Sequence, residues 1–209
     1  MTKLTIALPK GRLSKKALEL IEKCGISLPE SLDDRKLIAY DKNNEYRFLY
    51  VKPADVPTYV ERGTADIGIA GKDTIMEEGK DIYELLDLKI GKCKLCIAGK
   101  SPEIMRDVYS LRVATKYPNI ARQYFETKYI SPDIIELKGS VELAPITDLS
   151  DVILDIVESG ATLRSNGLKV LEVVADISAR LIANKVSFKT KYDIINPLIQ
   201  SLEQLVGAL

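Results

Sequence analysis

Between Asp151 and Leu168 the chain reads DVILDIVESGATLRSNGL, an apolar run with an acidic fringe followed by a small-residue break. Val152, Ile153, Ile156 and Val157 fall at helical spacing, which predicts an amphipathic helix from Asp151 to Glu158. Asp151, Asp155 and Glu158, at i, i+4 and i+7, then line its other face. Ser159-Gly160-Ala161-Thr162 breaks that helix, and a second short helical turn starts at Thr162. Small residues there let backbone N–H groups converge, and the hydroxyls of Ser159 and Thr162 add donors. Free N–H groups at a helix start carry partial positive charge, which suits a phosphate. With acids beside it, such a cradle fits a phosphorylated sugar, whose ribose hydroxyls donate to carboxylates. A solvated acidic face and a plain turn with an N-cap fit the same residues.

This stretch also resembles a known family. D-x-V-E-S-G-A-T-L-R-S-N-G-L is similar to the phosphoribosyl-pyrophosphate loop of ATP phosphoribosyltransferases, whose pattern is close to D-x-V-x-T-G-x-T-L-x-x-N-G-L. Ser159 stands where the family usually has Thr, so a hydroxyl is kept. The resemblance implies that Ser159, Gly160, Ala161 and Thr162 hold a 5′-phosphate. Asp155 and Glu158 would then meet the ribose hydroxyls or bound magnesium, while Asp151 lies furthest from the loop.

Composition sets bounds around this motif. With 209 residues the chain can bury a core as one large domain or two small ones. Lys+Arg and Asp+Glu both number 30, so no global basic field recruits nucleic acid. Met1–Leu8 reads as a strand and not as a signal peptide, and no apolar run approaches the ~18 residues of a membrane span. Three cysteines without an export signal predict a reducing, cytoplasmic setting. There is no histidine. His-dependent triads, His-ligated zinc and imidazole acid–base chemistry are thereby excluded, leaving carboxylates, Lys, Arg, Tyr, Cys, backbone dipoles or a substrate-borne metal.

Taken in order, Lys3–Leu8 reads as a strand, and Pro9-Lys10-Gly11-Arg12 turns into a helix bearing Leu13, Ala17, Ile21 and Cys24. A-L-P-K-G-R-L is similar to the family's N-terminal signature, which places Lys10 on the pyrophosphate side and Gly11 and Arg12 on the nucleotide side. Strands over 35–40 and 46–51 join through Asn43-Asn44 as a hairpin. R-K-L recurs in the family, implying that Arg35 faces the substrates. A short helix ends at Gly63, a buried strand covers 65–70, and Gly71-Lys72-Asp73 opens the next helix. G-I-A-G-K-D lacks Walker spacing. It is similar instead to the family's A-D-x-G-I-x-G-x-D, which implies that Gly71 and Asp73 serve ATP. Lys52 stands where the family often has Arg, keeping the charge that would face pyrophosphate but losing the bidentate fork.

Lys89–Ala98 reads as a long strand whose Cys93-x-x-Cys96 places the two thiols on opposite faces, as packing residues and not a metal pair. A strand at 111–115, a helix at 119–128 and a strand at 134–138 follow. G-S-V-E-x-A-P is again family-like and points Glu142 toward the sugar phosphate. Strands at 169–175 and 177–183 precede a closing helix over 188–205. Alternating strands and helices predict an α/β fold with mainly parallel sheets. The resemblance adds a two-lobed arrangement like type II periplasmic binding proteins, with residues 1–91 plus 177–209 as a nucleotide and pyrophosphate lobe and 92–176 carrying the phosphoribosyl-pyrophosphate loop.

The activity that the resemblance implies is attack by adenine nitrogen 1 of ATP on the anomeric carbon of phosphoribosyl pyrophosphate, the opening step of histidine biosynthesis. Its cofactor would be Mg²⁺ carried by the substrate. Since the sequence stops at Leu209, where long family members continue into a histidine-sensing domain, the short form is expected. That form works with a regulatory subunit resembling histidyl-tRNA synthetase, in a hetero-octamer of four plus four. The alternative is a small-molecule binding or sensing protein of the same two-lobed fold.

Overall fold

Six consecutive buried residues, Leu4–Pro9, form β1, the strand around which the first sheet is laid. The computed structural model describes residues 3–28, 36–106 and 110–208. Arg35, expected to face the substrates, lies outside the described residues. After β1 come α1 (Arg12–Lys23), β2 (Ile38–Tyr40), β3 (Tyr46–Val51), α2 (Val56–Glu61), β4 (Ile67–Gly71), α3 (Lys72–Glu78) and β5 (Tyr83–Asp87). The next elements are β6 (Cys93–Gly99), β7 (Arg112–Thr115), α4 (Pro118–Thr127), β8 (Asp133–Glu136), α5 (Leu143–Ile146), β9 (Val152–Val157), α6 (Ala161–Ser165) and β10 (Lys169–Ile177). The chain ends through β11 (Ala179–Ala183), α7 (Lys185–Thr190) and α8 (Tyr192–Gly207). Two compact units result, one of Met1–Gly91 with Ser178–Leu209 and one of Lys92–Ile177.

The first unit is a six-stranded sheet in the order β2-β3-β1-β4-β11-β5. β1 pairs in parallel with both β3 and β4, while β2, β11 and β5 run antiparallel to their neighbours. Leu4, Ile6 and Leu8 pack on one face against Ala17, Leu18 and Ile21 of α1 and Ile195, Leu198 and Leu202 of α8. On the other face Ala7, Leu49 and Ile182 meet Val56 and Val60 of α2. That second layer is thin at Gly68, where a methyl group would fall 2.8 Å from Val60 Cγ2 and 3.0 Å from Val56 Cγ1. Gly68 is therefore what lets α2 lie on β4.

The second unit is a five-stranded sheet in the order β10-β6-β9-β7-β8. β8, β7 and β9 are parallel, and β6 and β10 are antiparallel to their neighbours. The expectation of mainly parallel sheets thus gives way to mixed ones. Each sheet keeps a parallel trio; β2, β11 and β6 run the other way, and the outer strands β5 and β10, each antiparallel to its neighbour, run with the trio again.

The helix expected over Asp151–Glu158 is a correction of greater consequence, because Val152–Val157 is β9, an interior strand. Val-Ile-Leu-Asp-Ile-Val is rich in β-branched residues and apolar on both sides, as a strand covered on both faces requires. Such a run fills helical and extended spacings alike, so periodicity could not decide between them. The acidic stripe dissolves with the helix. Asp151 and Asp155 keep the same parity along the strand, whereas Glu158 lies beyond its end. The expected closing helix is likewise two helices, separated at Lys191, and β5, Tyr-Glu-Leu-Leu-Asp, lacks the β-branched residues that mark a strand.

The same staple recurs at the start of a central parallel strand in each unit. Asp66 precedes β4; its N–H donates to Thr5 O at 2.9 Å and its Oδ2 accepts from Thr5 N at 2.8 Å. Asp151 precedes β9 and does the same with Arg112 of β7, at 3.0 and 2.8 Å. Each aspartate extends the ladder by one side-chain rung.

A Gly68→Ala variant is expected to lose about 1–3 kcal/mol of stability, the usual range for overpacking a close contact. Urea denaturation of the two proteins measures it, with the midpoint falling and the slope unchanged.

Candidate active site

In the first unit β3, β1 and β4 end at one edge of the sheet. β1 sends the chain through α1 toward β2 and β3 on one side, while β4 lies on its other side. A crevice forms outside the carboxyl ends where strand order reverses in this way. Register pairs Pro9 with Val51, so Lys10 and Lys52 leave adjacent strands side by side, both exposed. Lys10 N–H donates to Val51 O at 2.8 Å, closing the ladder at its last rung. Gly11 follows with φ 108°, a left-handed turn that starts α1 at the exposed Arg12.

The end of β4 supplies the rest of that edge. Asp73 folds its carboxylate back over Gly71, where a β-carbon would lie 2.2 Å from Asp73 Oδ1, so a side chain at 71 would push that carboxylate aside. Lys72, between them, pairs with Glu84 at 2.5 Å and donates its N–H to Ser178 O. Arg180 on β11 lies 3.6 Å from Glu84 and 3.3 Å from Asp87, which also accepts from Ser178 Oγ at 2.7 Å. Burial works to raise the Asp87 pKa, yet the N–H of Lys89, the Ser178 hydroxyl, the Lys89 ammonium and Arg180 together hold it lowered. This ion network was not legible in the sequence, since its members lie on α3, β5 and β11.

In the second unit the carboxyl ends of β8, β7 and β9 share one edge. From β9 the chain enters Glu158, Ser159 and Gly160, and Gly160 adopts φ 70° as the residue opening α6. A side chain there would be strained by that φ and would meet Arg164 Nη1 at 3.1 Å. Ala161 N–H donates to Ser159 Oγ at 3.3 Å, and Arg164 N–H to Gly160 O at 3.1 Å. Asn166 Nδ2 donates to Thr162 O at 2.8 Å. Leu163 and Leu168 are buried against Val141, Ala144 and Ile153, which anchors a loop whose Ser159, Ala161 and Thr162 stay exposed. Glu142, half-buried, precedes α5 beyond the end of β8.

The acids divide by position. Asp155 is 7% exposed near the carboxyl end of β9, with Oδ1 accepting from Ile156 N at 2.9 Å and lying 3.8 Å from Lys116 Nζ. Lys116 follows β7 directly, and sequence reasoning missed it. The signal was available in Ala-Thr-Lys at a strand end before the proline that opens α4. Asp151, at the amino end, is occupied by Arg112, which donates from Nε at 3.2 Å and Nη2 at 2.8 Å as well as from its backbone. These Arg112 contacts, the side-chain hydrogen bonds first, outweigh burial and hold the Asp151 carboxyl below its usual range. Among the described residues no three His, Cys, Asp or Glu side chains gather as a metal site, and no helix is long and apolar enough to cross a membrane.

Two α/β units with exposed turns beyond their parallel strands define a class of two-lobed α/β folds. The GluR0 ligand-binding core from Nostoc punctiforme shares it, with a TM-score of 0.58 at 15% identity over 97% of this chain and 92% of that one. Much nearer is the ATP phosphoribosyl transferase (HisG:HisZ) complex from Thermotoga maritima, with a TM-score of 0.83 and 35% identity over 97% of each chain. The HisG family model, ATP phosphoribosyltransferase, matches residues 52–204. The ATP phosphoribosyltransferase of Lachnospira eligens is 53% identical over 99% of this chain and 98% of its own length. The chain belongs to the ATP phosphoribosyltransferase family.

Asp151 and Asp155 should separate in experiment. Because the folded Asp151 pKa is lowered, its stabilisation is complete above the unfolded carboxylate pKa and is lost as pH falls through the folded value. Asp151→Asn is therefore expected to lower the melting temperature at pH 7, with the difference fading in acid below the ordinary carboxylate range. Thermal melts of both proteins across pH check this.

Proposed function

We propose that the turns at the two carboxyl edges divide the work of phosphoribosyl transfer. The loop observation carries the reading: a left-handed glycine between an interior strand and a short helix, with small exposed residues around it, in a chain of this family. Ser159, Gly160, Ala161 and Thr162 take the 5′-phosphate, Asp155 and Glu158 accept from the ribose hydroxyls, and Glu142 faces the sugar phosphate. Lys10, Arg35 and Lys52 face the pyrophosphate, and Gly11, Arg12, Gly71 and Asp73 border ATP. Mg²⁺ arrives on the substrate's pyrophosphate, whose hard oxygens suit it.

The enzyme condenses ATP with 5-phosphoribosyl 1-pyrophosphate, giving phosphoribosyl-ATP and pyrophosphate in the first step of histidine biosynthesis. The adenine nitrogen 1 lone pair forms the new bond to the anomeric carbon as the bond to the pyrophosphate oxygen breaks. That lone pair is already neutral and available, so a chain without histidine needs no strong base. The barrier lies in charge gathering on the leaving group and in the cationic sugar. Fixed cations and positioning act on both, an aligned donor of this kind being worth on the order of 2–4 kcal/mol in the transition state.

The Thermotoga maritima relative is a HisG:HisZ complex. By likeness to it we assign this chain a regulatory partner of the same kind, resembling histidyl-tRNA synthetase, in a hetero-octamer of four plus four in the cytoplasm. Purified chain with ATP, phosphoribosyl pyrophosphate, Mg²⁺ and pyrophosphatase is expected to form phosphoribosyl-ATP, faster and with histidine sensitivity once the partner is added. Binding of both substrates without product in either mixture would favour the sensing alternative. For the loop, Gly160→Val is expected to weaken phosphoribosyl-pyrophosphate binding at least about tenfold, given the strain of a β-branched residue at positive φ. Unchanged affinity by calorimetry would sink the loop assignment.

A further inference from the structure

Asp155 is the single charged residue of β9, and burial of an ionised carboxylate costs free energy unless donors or a cation compensate. Among its partners is a local donor, the Ile156 N–H on Oδ1. A cation stands at the neighbouring strand end as well, where Lys116 Nζ is 3.8 Å from the same oxygen, the two side chains being 36% and 9% exposed. At that separation the contact is an ion pair without a hydrogen bond, so it uses none of the carboxylate's accepting capacity.

The lysine is held from both sides. Thr115, fully buried, donates its Oγ1 to Leu154 O at 2.7 Å and accepts from Tyr117 N at 2.8 Å. The residues flanking Lys116 are thereby tied to the strand that bears Asp155. The register repeats the tie, since Thr115 lies opposite Leu154, the residue just before Asp155. A cation whose backbone is fixed this closely serves as more than a solvated surface charge.

We propose that Lys116 is a positioning residue of the phosphoribosyl-pyrophosphate site, holding the Asp155 carboxylate aimed so that it accepts from the sugar hydroxyls. This rests on the reading that Asp155 meets the ribose. Lys116 acts through Asp155, so its loss should raise the requirement for one substrate and spare the other.

Steady-state kinetics on the full chain, with the partner present if the basal rate requires it, test the pair, and calorimetry with phosphoribosyl pyrophosphate supplies a second readout. Lys116→Met is expected to raise the KM and Kd for phosphoribosyl pyrophosphate about tenfold, with kcat changed less than about threefold and the KM for ATP unchanged. Lys116→Arg keeps the charge and should bring the KM back within about threefold of wild type. In an Asp155→Asn background, Lys116→Met should add less than about twofold, as coupled neighbours do. A KM within about twofold of wild type for Lys116→Met, or the full loss recurring in Asp155→Asn, overturns the inference. Asp155→Asn alone separates the two readings. If it leaves phosphoribosyl-pyrophosphate binding unchanged, the ribose role of Asp155 fails; if it weakens binding while Lys116→Met does not, only the role of Lys116 fails. Should Lys116→Met melt below the assay temperature, Lys116→Gln takes its place under the same criteria.

Discussion

A strand buried on both faces must find every backbone partner in the strands beside it, because no water reaches its N–H and C=O groups. β1 meets this demand with two parallel neighbours, and β9 with one parallel and one antiparallel. Parallel neighbours cannot be joined by a hairpin, so each connection crosses over and the chain leaves the sheet repeatedly at the same edge. Lys10, Lys52 and Gly71 arrive at one such edge, and Lys116 and Gly160 at the other. Exposed cations and glycine turns gather there because the hydrogen-bond ladder leaves them no other exit.

Opposite ends of one strand therefore give the same residue type different roles. Asp66 and Asp151 sit just before their strands and spend their oxygens on the ladder, each reinforced by a cation, Lys191 at 2.7 Å and Arg112 at 2.8 Å. Asp155 sits at the far end of β9, beyond the reach of that rung. The family-like segment A-D-I-G-I-A-G-K-D shows the division within nine residues, with Asp66 bracing the amino end of β4 and Asp73 covering Gly71 at the other.

Much of this architecture was readable from the chain. The hairpin through Asn43-Asn44, the β7-α4-β8 unit and the strands flanking Ser178 carry local signals of turn chemistry and periodicity. The run from Val152 to Val157 misled, because an interior strand has no polar face to betray its period of two. The positions of the candidate site came from motif likeness, which is linear and so preserves residues even where their conformation is misread. Lys116 and Arg180 escaped for the opposite reason. Their significance lies in what stands across from them on a neighbouring strand, and one strand's own sequence does not state its partner.

The place of β11 has a consequence for synthesis on the ribosome. It is the partner of both β4 and β5, inserted between them from residues 179–183. Until that segment emerges, two strand edges of the first sheet are left open. The second unit is unbroken from 92 to 177 and has every strand in hand before β11 appears. At about 5–20 residues per second, the open interval spans on the order of 5–20 seconds of elongation. During that time β4 and β5 are the segments most in need of shelter from other nascent chains.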